Sequence, residues 1–453
     1  MFKRGEGMRY RNILRIIFIS LMILLVLIGC GSKSETKQVK EIKDESRESF
    51  SKEVTDNDEN KLEKKDENLE SDSLKLYISA DRTGTKESGI AIEQGIRTAL
   101  SEVDYTVNGK KIEILILDHR GSTPRANTHL EKYLEDDKAL AVFSGLHSPP
   151  LLASLDFINE NEILVLDPWA AAAPITRYPS EENWVFRLSI DDSKAGYVIS
   201  EYAVKKEDFE RPFLLLEETG WGESNERTMT SALNDFSVDI AGTAWFNWNL
   251  GINEAKMLLR QAKESDADVI FFVGNAPEGK KFAKAMSELE EKERLPIRSH
   301  WGITGGDFPE VISKDIRANI DLKFIQTSFS FTGMGDSKIG NKVFDIAKNL
   351  YPDSIKKVED IKAPTGFIHS YDLTKILIRA LGQSDLDSDI NTIRLELRNN
   401  LENINGKVEG LIKTYDKPFT VFTEENPDAH EALNIMDFVM AKYGENNEII
   451  ILP

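Results

Sequence analysis

Cysteine is nearly absent: Cys30 is the only one in 453 residues. No disulfide framework can form, so a folded part must stand on its hydrophobic core. The six histidines (His119, His129, His147, His300, His369 and His430) are scattered without metal-ligand spacing. No serine sits in a Gly-x-Ser-x-Gly elbow. The glycine-rich string Gly302–Gly306 lacks both a phosphate-loop lysine and the spacing of a dinucleotide fingerprint. His300 and Asp307 lie close enough in sequence to form an acid–base pair, but nothing nucleophilic is tied to them. The residues therefore imply no cofactor, no metal and no catalytic set. Positive charge is also scarce, with 57 Lys+Arg against 77 Asp+Glu and a net charge of -20. That balance argues against nucleic acid, which needs a basic stripe, and against adhesion to anionic lipid by overall charge.

Long apolar runs are missing too. Ile16–Ile28 spans 13 residues, short of the ~20 a membrane helix needs. It follows Lys3, Arg4, Arg9, Arg11 and Arg15 and precedes Leu27-Ile28-Gly29-Cys30. Basic region, short apolar region and a small residue before the cut describe a bacterial secretion signal over residues 1–30. The final string resembles a lipobox, in which the thiol takes a diacylglycerol and becomes the mature N-terminus. The expectation is a chain outside the cytoplasmic membrane, lipid-anchored at Cys30 to the cell membrane or an outer membrane. More than one acyl chain would make that anchoring stable.

Residues 31–73 are almost all Lys, Glu, Asp, Ser and Asn, with Phe50 the only aromatic. Such a segment cannot bury enough area to fold alone. It reads as a spacer with an r.m.s. reach of roughly 35–40 Å. About 380 residues remain, enough for two domains.

From Leu74 the chain alternates short apolar runs with amphipathic stretches. Strands are expected at 74–79, 111–118, 139–144 and 163–166, with helices near 90–103, 124–134 and 149–159. The alternation restarts near Arg211, with strands at 213–217, 238–245, 269–273 and 297–301 and helices at 224–234, 253–263 and 278–289. Alternating strands and helices build parallel sheets. Two such sets give an α/β protein of two Rossmann-like lobes. Ligands of open parallel sheets sit beyond the carboxyl ends of the strands, so two facing lobes make a cleft.

Several short strings, in order, carry a family resemblance: Asn108-Gly109-Lys110-Lys111-Ile112-Glu113, Ser144-Gly145-Leu146-His147-Ser148, Asp167-Pro168-Trp169-Ala170, Val185-Phe186-Arg187, Gly220-Trp221-Gly222-Glu223-Ser224 and Ala276-Pro277-Glu278-Gly279. From Leu74 onward the chain resembles the type I periplasmic binding proteins of the leucine/isoleucine/valine-binding family. The resemblance implies parallel sheets in two lobes joined by three crossover strands, near Ser189, Ser328 and Lys407. Lobe 1 would be 74–188 with 328–406, and lobe 2 would be 189–327 with 407–453. It also implies a small-molecule ligand captured by hinge closure and presented to the permease subunits of an ABC importer.

Site candidates follow from the residues and the resemblance together. Ser148 reads as an N-cap before Pro149, at a helix start that attracts a carboxylate, with His147 beside it. In the family, the loop holding Trp169, Ala170 and Ala171 faces the ligand head group; Ala171 stands where a threonine is common. Trp221, between Gly220 and Gly222, reads as an exposed turn lining the cleft. The family holds a ligand ammonium with an aromatic near Asn275 and an acid near Trp301. The acid is missing here, and Glu218 and Asp307 are the candidate substitutes. Trp169, Trp221 and Trp301 would grip a flat, apolar or cationic group. Trp221→Ala and Trp301→Ala are then expected to weaken binding with little change in the melting temperature of the empty protein. A sensory receptor of the same fold is the alternative function, and an extracytoplasmic hydrolase the alternative of another class.

Overall fold

Nine residues, Lys110–Asp118, form the long strand β3, and its neighbours repeat the pattern of short apolar strand then helix. The computed structural model describes residues 73–179 and 182–452. The secretion signal, Cys30 and the spacer up to residue 72 lie outside the described residues, whereas Ser73 opens the first strand.

The first sheet comprises β1 (Ser73–Ala80), β2 (Thr106–Val107), β3, β4 (Ala139–Ser144), β5 (Val165–Asp167) and β6 (Val185–Arg187), in the order β2-β3-β1-β4-β5-β6. All pairs are parallel except β2 with β3, and Leu76 lies opposite Ile114. Helices α1 (Lys86–Ser101), α2 (Thr123–Glu135), α3 (Ser148–Leu152) and α4 (Leu155–Glu160) connect the strands. The single helix expected at 149–159 is broken in two. Ser154 donates its hydroxyl to Pro150 O at 2.7 Å where the helix interrupts.

The second sheet comprises β7 (Pro212–Glu217), β8 (Gly242–Phe246), β9 (Val269–Val273), β10 (Ile297–Ser299) and β11 (Leu322–Thr327), with two later strands added at the β11 edge. Its helices are α5 (Asp192–Glu201), α6 (Gly220–Asp235), α7 (Ile252–Glu264) and α8 (Ala276–Ser287). β9 reads Val-Ile-Phe-Phe-Val and is buried on both faces, as a central parallel strand covered by helices must be. β8 starts at Gly242 rather than Val238. Ser237, at φ 59, turns the chain after α6, and Val238 N closes onto Leu233 O.

The chain returns to the first lobe through α9 (Lys338–Leu350), α10 (Pro364–Leu381) and α11 (Ile390–Glu402). α10 packs along α1. The hairpin β12 (Lys407–Glu409) with β13 (Thr414–Asp416) stays beside α10: Leu411 N and the Tyr415 hydroxyl donate to the Asp372 carboxylate at 2.6 and 2.7 Å. Sheet membership therefore changes not at Lys407 but at β14 (Phe438–Tyr443), which pairs antiparallel with β11 and with β15 (Ile449–Ile451). No helix among the described residues is long and apolar enough to cross a membrane.

Candidate functional site

The carboxyl ends of both sheets face one seam. Lobe 1 brings the ends of β1, β4 and β5 to it, and lobe 2 the ends of β7, β9 and β10. The lobes are in contact across it. Ala173 N donates to Ser224 Oγ at 3.0 Å, Ser88 Oγ donates to Gly305 O at 2.7 Å, and the hydroxyls of Thr304 and Thr365 lie 3.0 Å apart.

Ser148 is buried on the lobe 1 side, at the start of α3. Its hydroxyl accepts from Ala171 N and Ala172 N, both at 3.2 Å, and so pins the next loop. Trp169, Ala170 and Ala171 are all buried in that loop. The Trp169 ring meets Trp301 of the other lobe with centroids 6.2 Å apart. Trp301 also lies 4.8 Å from the His369 ring of α10. His369 donates from Nδ1 to Pro168 O and accepts from Thr327 Oγ1 at Nε2. Burial pushes its imidazole down to about 3, so it is neutral.

Trp221 is not in an exposed turn. It lies in the first turn of α6, 5% exposed, and Trp169 and Trp301 are each 1% exposed. The helix starts early because Thr219 caps it, accepting from Gly222 N. A Cβ on Gly222 would fall 1.9 Å from Glu217 O, so only glycine allows this entry. Gly302 plays the same part for the Trp301 turn, where a Cβ would fall 2.4 Å from Gly274 O.

Asp192 is the residue that sequence reasoning missed, and His300, weighed there only beside Asp307, is its neighbour. Both are fully buried. Asp192 Oδ1 accepts from Trp221 Nε1 at 3.1 Å and lies 3.1 Å from His300 Nε2. His300 Nδ1 accepts from Trp301 N, which leaves the ring proton on Nε2, facing Asp192. His300 thus lies against Asp192 and not against Asp307, although the contact does not have hydrogen-bond geometry. Asp192 Oδ2 and Trp169 Nε1 are buried with no hydrogen-bond partner among the described residues.

Neither candidate substitute for the missing acid joins this cluster. Asp307 is 43% exposed and paired with Lys280 at 2.6 Å. Glu218 is exposed and accepts from Asn247 Nδ2 at 2.6 Å. The buried acid of β7 is its neighbour Glu217, whose Oε2 accepts from Asn275 Nδ2 at 3.3 Å. Burial raises the Glu217 carboxyl above its ordinary value, more than Trp248, His147 and Thr219 lower it.

His147 sits at the outer end of the seam. Its Nε2 lies 3.2 Å from Asp81 Oδ2, and its ring is 5.1 Å from Trp248 of lobe 2. Burial acts to raise the Asp81 carboxyl, but hydrogen bonds from His147, Thr83 N and Gly84 N outweigh it and hold it well below the usual range. A signal for these acids was available: Asp81 follows β1 and Glu217 ends β7, both at ligand-facing strand ends. Asp192 had none, because it matters only through Trp221 and His300.

Asp167, at the end of β5, supports the Trp169 loop. Its Oδ1 accepts from Ser144 Oγ, Trp169 N and Ala170 N at 2.8 to 3.0 Å. Burial pushes this carboxyl from 3.8 up to about 7, against the pull of Arg187 and those bonds. The folded state therefore holds the proton more tightly than the unfolded chain does. Its contribution to stability is complete below about 3.8 and is lost as pH rises through about 7. Asp167→Asn keeps the accepting oxygen and removes the titration. Urea unfolding across that range should show a flatter pH dependence in the variant and a gain over wild type on the alkaline side. Parallel curves for the two proteins would rule this out.

A family model for periplasmic binding proteins matches residues 77–296. An amino acid binding protein of Pseudomonas aeruginosa is 21% identical over 216 residues, 47% of this chain and 57% of that protein. The chain thus spans little more than half the length of that curated relative. Among solved structures, a leucine binding protein from Thermotoga maritima superimposes with a TM-score of 0.64 at 19% identity, covering 84% of this chain and 98% of its own. An ABC transporter solute binding protein from R. palustris, in complex with benzoate, gives 0.67 at 15% identity, covering 84% and 95%. With two parallel-dominated lobes facing one seam, the chain has the fold of the type I periplasmic binding proteins, and residues 77–296 match the model of the periplasmic binding protein family.

Proposed function

We propose that the protein captures a small organic carboxylate, amino-acid-like or aromatic, between its lobes. It does so outside the cytoplasmic membrane, anchored by lipid on Cys30, and presents the closed form to the permease subunits of an ABC importer. The observation that carries this reading is the seam itself. Ala171 N and Ala172 N from one lobe and Asp192 from the other converge among buried tryptophans. The two N–H groups now held by Ser148 suit a carboxylate. Asp192 Oδ2 and Trp169 Nε1 remain to receive and to donate a hydrogen bond. The aromatic walls suit a flat or apolar body. The leucine-binding and benzoate-bound neighbours support the same ligand class.

The ligand enters when the lobes open. The three interlobe contacts then break, and Trp301 leaves Trp169 and His369. Hinge motion of this kind is the family's ordinary means of closure. Binding and release of a ligand recovered chemically unchanged are expected, with no turnover.

A thermal-shift screen against amino acids, aromatic and short carboxylates, amides and quaternary amines tests the reading. A ligand supplied at 1,000 times its Kd should stabilise by about 4 kcal/mol. Asp192→Asn and Trp221→Ala should remove that shift. A screen in which no class raises the melting temperature overturns the proposal.

A further inference from the structure

A groove of about 550 Å³ opens on lobe 1, far from the seam. It lies between Glu102 beyond α1, the start of α9, the second half of α10 and strand β12. α1 leaves the ligand-facing end of β1 and runs back, so its last turn lies at the opposite end of the lobe. Asn108 ties the end of α10 there, donating to Leu381 O and Ser384 O at 3.2 and 3.1 Å.

Five cations line this groove (Lys338, Lys342, Lys375, Arg379 and Lys407) against two carboxylates, Glu102 and Glu409. The excess stands out in a chain of net charge -20. Glu102 is already committed: it accepts from the Tyr371 hydroxyl and lies 2.5 Å from Lys342 Nζ and 3.3 Å from Lys375 Nζ. This fixes the two lysines at the groove wall. Lys338 and Arg379 form no ion pair among the described residues. Lys407 is 4.0 Å from Asp416, and both are exposed. Ile339, Ile378 and Val408 supply apolar surface between the charges.

We propose that this groove is a second binding site, for the phosphate group of an organic phosphate ester. Arg379 brings a planar fork of donors, and the lysines of α9, α10 and β12 bring point charges around it. A tetrahedral, multiply charged oxyanion carries more charge and more acceptor oxygens than a planar, singly charged carboxylate, so it can engage more of these cations at once. The apolar surface suits the organic part of the ester. The phosphate has two sources, a free ester or the headgroup of an anionic phospholipid. The second is favoured by position, because the groove lies at the end where β1 starts, nearest in sequence to Cys30. That choice of source, and not the site, rests on the lipid anchoring proposed above.

The test uses the full chain and the double variant Lys338→Glu/Arg379→Glu, both positions being exposed and outside the seam. Glycerol 3-phosphate is titrated calorimetrically at low and physiological salt. Vesicles of phosphatidylcholine, with and without phosphatidylglycerol, are co-sedimented with each protein. Saturable, salt-weakened binding of glycerol 3-phosphate that falls roughly tenfold or more in the variant supports the site with a free ester as its source. A comparable loss seen only on phosphatidylglycerol vesicles supports it with lipid as the source. The variant's melting temperature and its response to seam ligands should match wild type. Equal binding by both proteins, or no binding in either arm, overturns the proposal. Binding of polyglutamate but of neither phosphate source overturns it in favour of an acidic protein partner.

Discussion

Trp301→Ala is expected to destabilise the empty protein by about 3–5 kcal/mol, the range for truncating a large buried aromatic. The side chain is 1% exposed and lies between Trp169 and His369 of the opposite lobe. Its removal leaves a cavity at the centre of the seam. It also frees the Trp169 ring, whose Nε1 already lacks a partner among the described residues. This departs from the expectation drawn from sequence, in which the melting temperature of the empty protein hardly changes. The difference arises because the closed lobes use Trp301 as shared core. Ligand affinity should fall as well, since the same ring walls the proposed site. Urea unfolding and calorimetric titration separate the two effects. Lost stability with unchanged affinity would make Trp301 purely core and sink the ligand assignment. Unchanged stability would contradict the packing. Trp248, 37% exposed, should cost far less when truncated.

Arg187→Met should be comparably severe, at about 3–5 kcal/mol, because it breaks a buried ion pair by removing one partner. Arg187 is fully buried at the end of β6, where the chain leaves lobe 1. Its Nε donates to both Glu431 oxygens at 3.0 Å, and a terminal nitrogen donates to Ala170 O and Ala172 O at 3.2 and 2.9 Å. Its backbone joins the same partner segment, with Arg187 N donating to His430 O and Ala432 N to Arg187 O, both at 2.9 Å. One side chain thus holds the C-terminal segment, the loop under the proposed head-group site and the first crossing. The double variant Arg187→Met/Glu431→Met should recover much of the loss, because no charge is then left unpaired. A single variant that unfolds at the wild-type urea concentration would show that the pair contributes nothing.

Much of the fold was legible because strands and helices are written locally. The Val269–Val273 run needs no partner to be recognised as a buried strand, and α7 was expected to within a residue or two of Ile252–Glu264. Errors fell where helix capping, close backbone packing or a distant contact decides. The start of α6 depends on Thr219 capping and on the room that Gly222 leaves beside Glu217 O, which turned an expected loop into helix. The hairpin at 407–416 stays with lobe 1 because its backbone and Tyr415 reach Asp372, far back in α10.

Periodicity by itself determined the α/β alternation, the two sets of strands and the ligand-facing strand ends. Which side chains meet there was decided only by the tertiary structure. Trp169, Trp301 and His369 become neighbours through sheet order and lobe closure, and Asp192 gains its importance from Trp221 and His300. Local patterning records which face of an element is apolar. It holds no record of what the opposite lobe brings against that face, and this seam is built from that pairing.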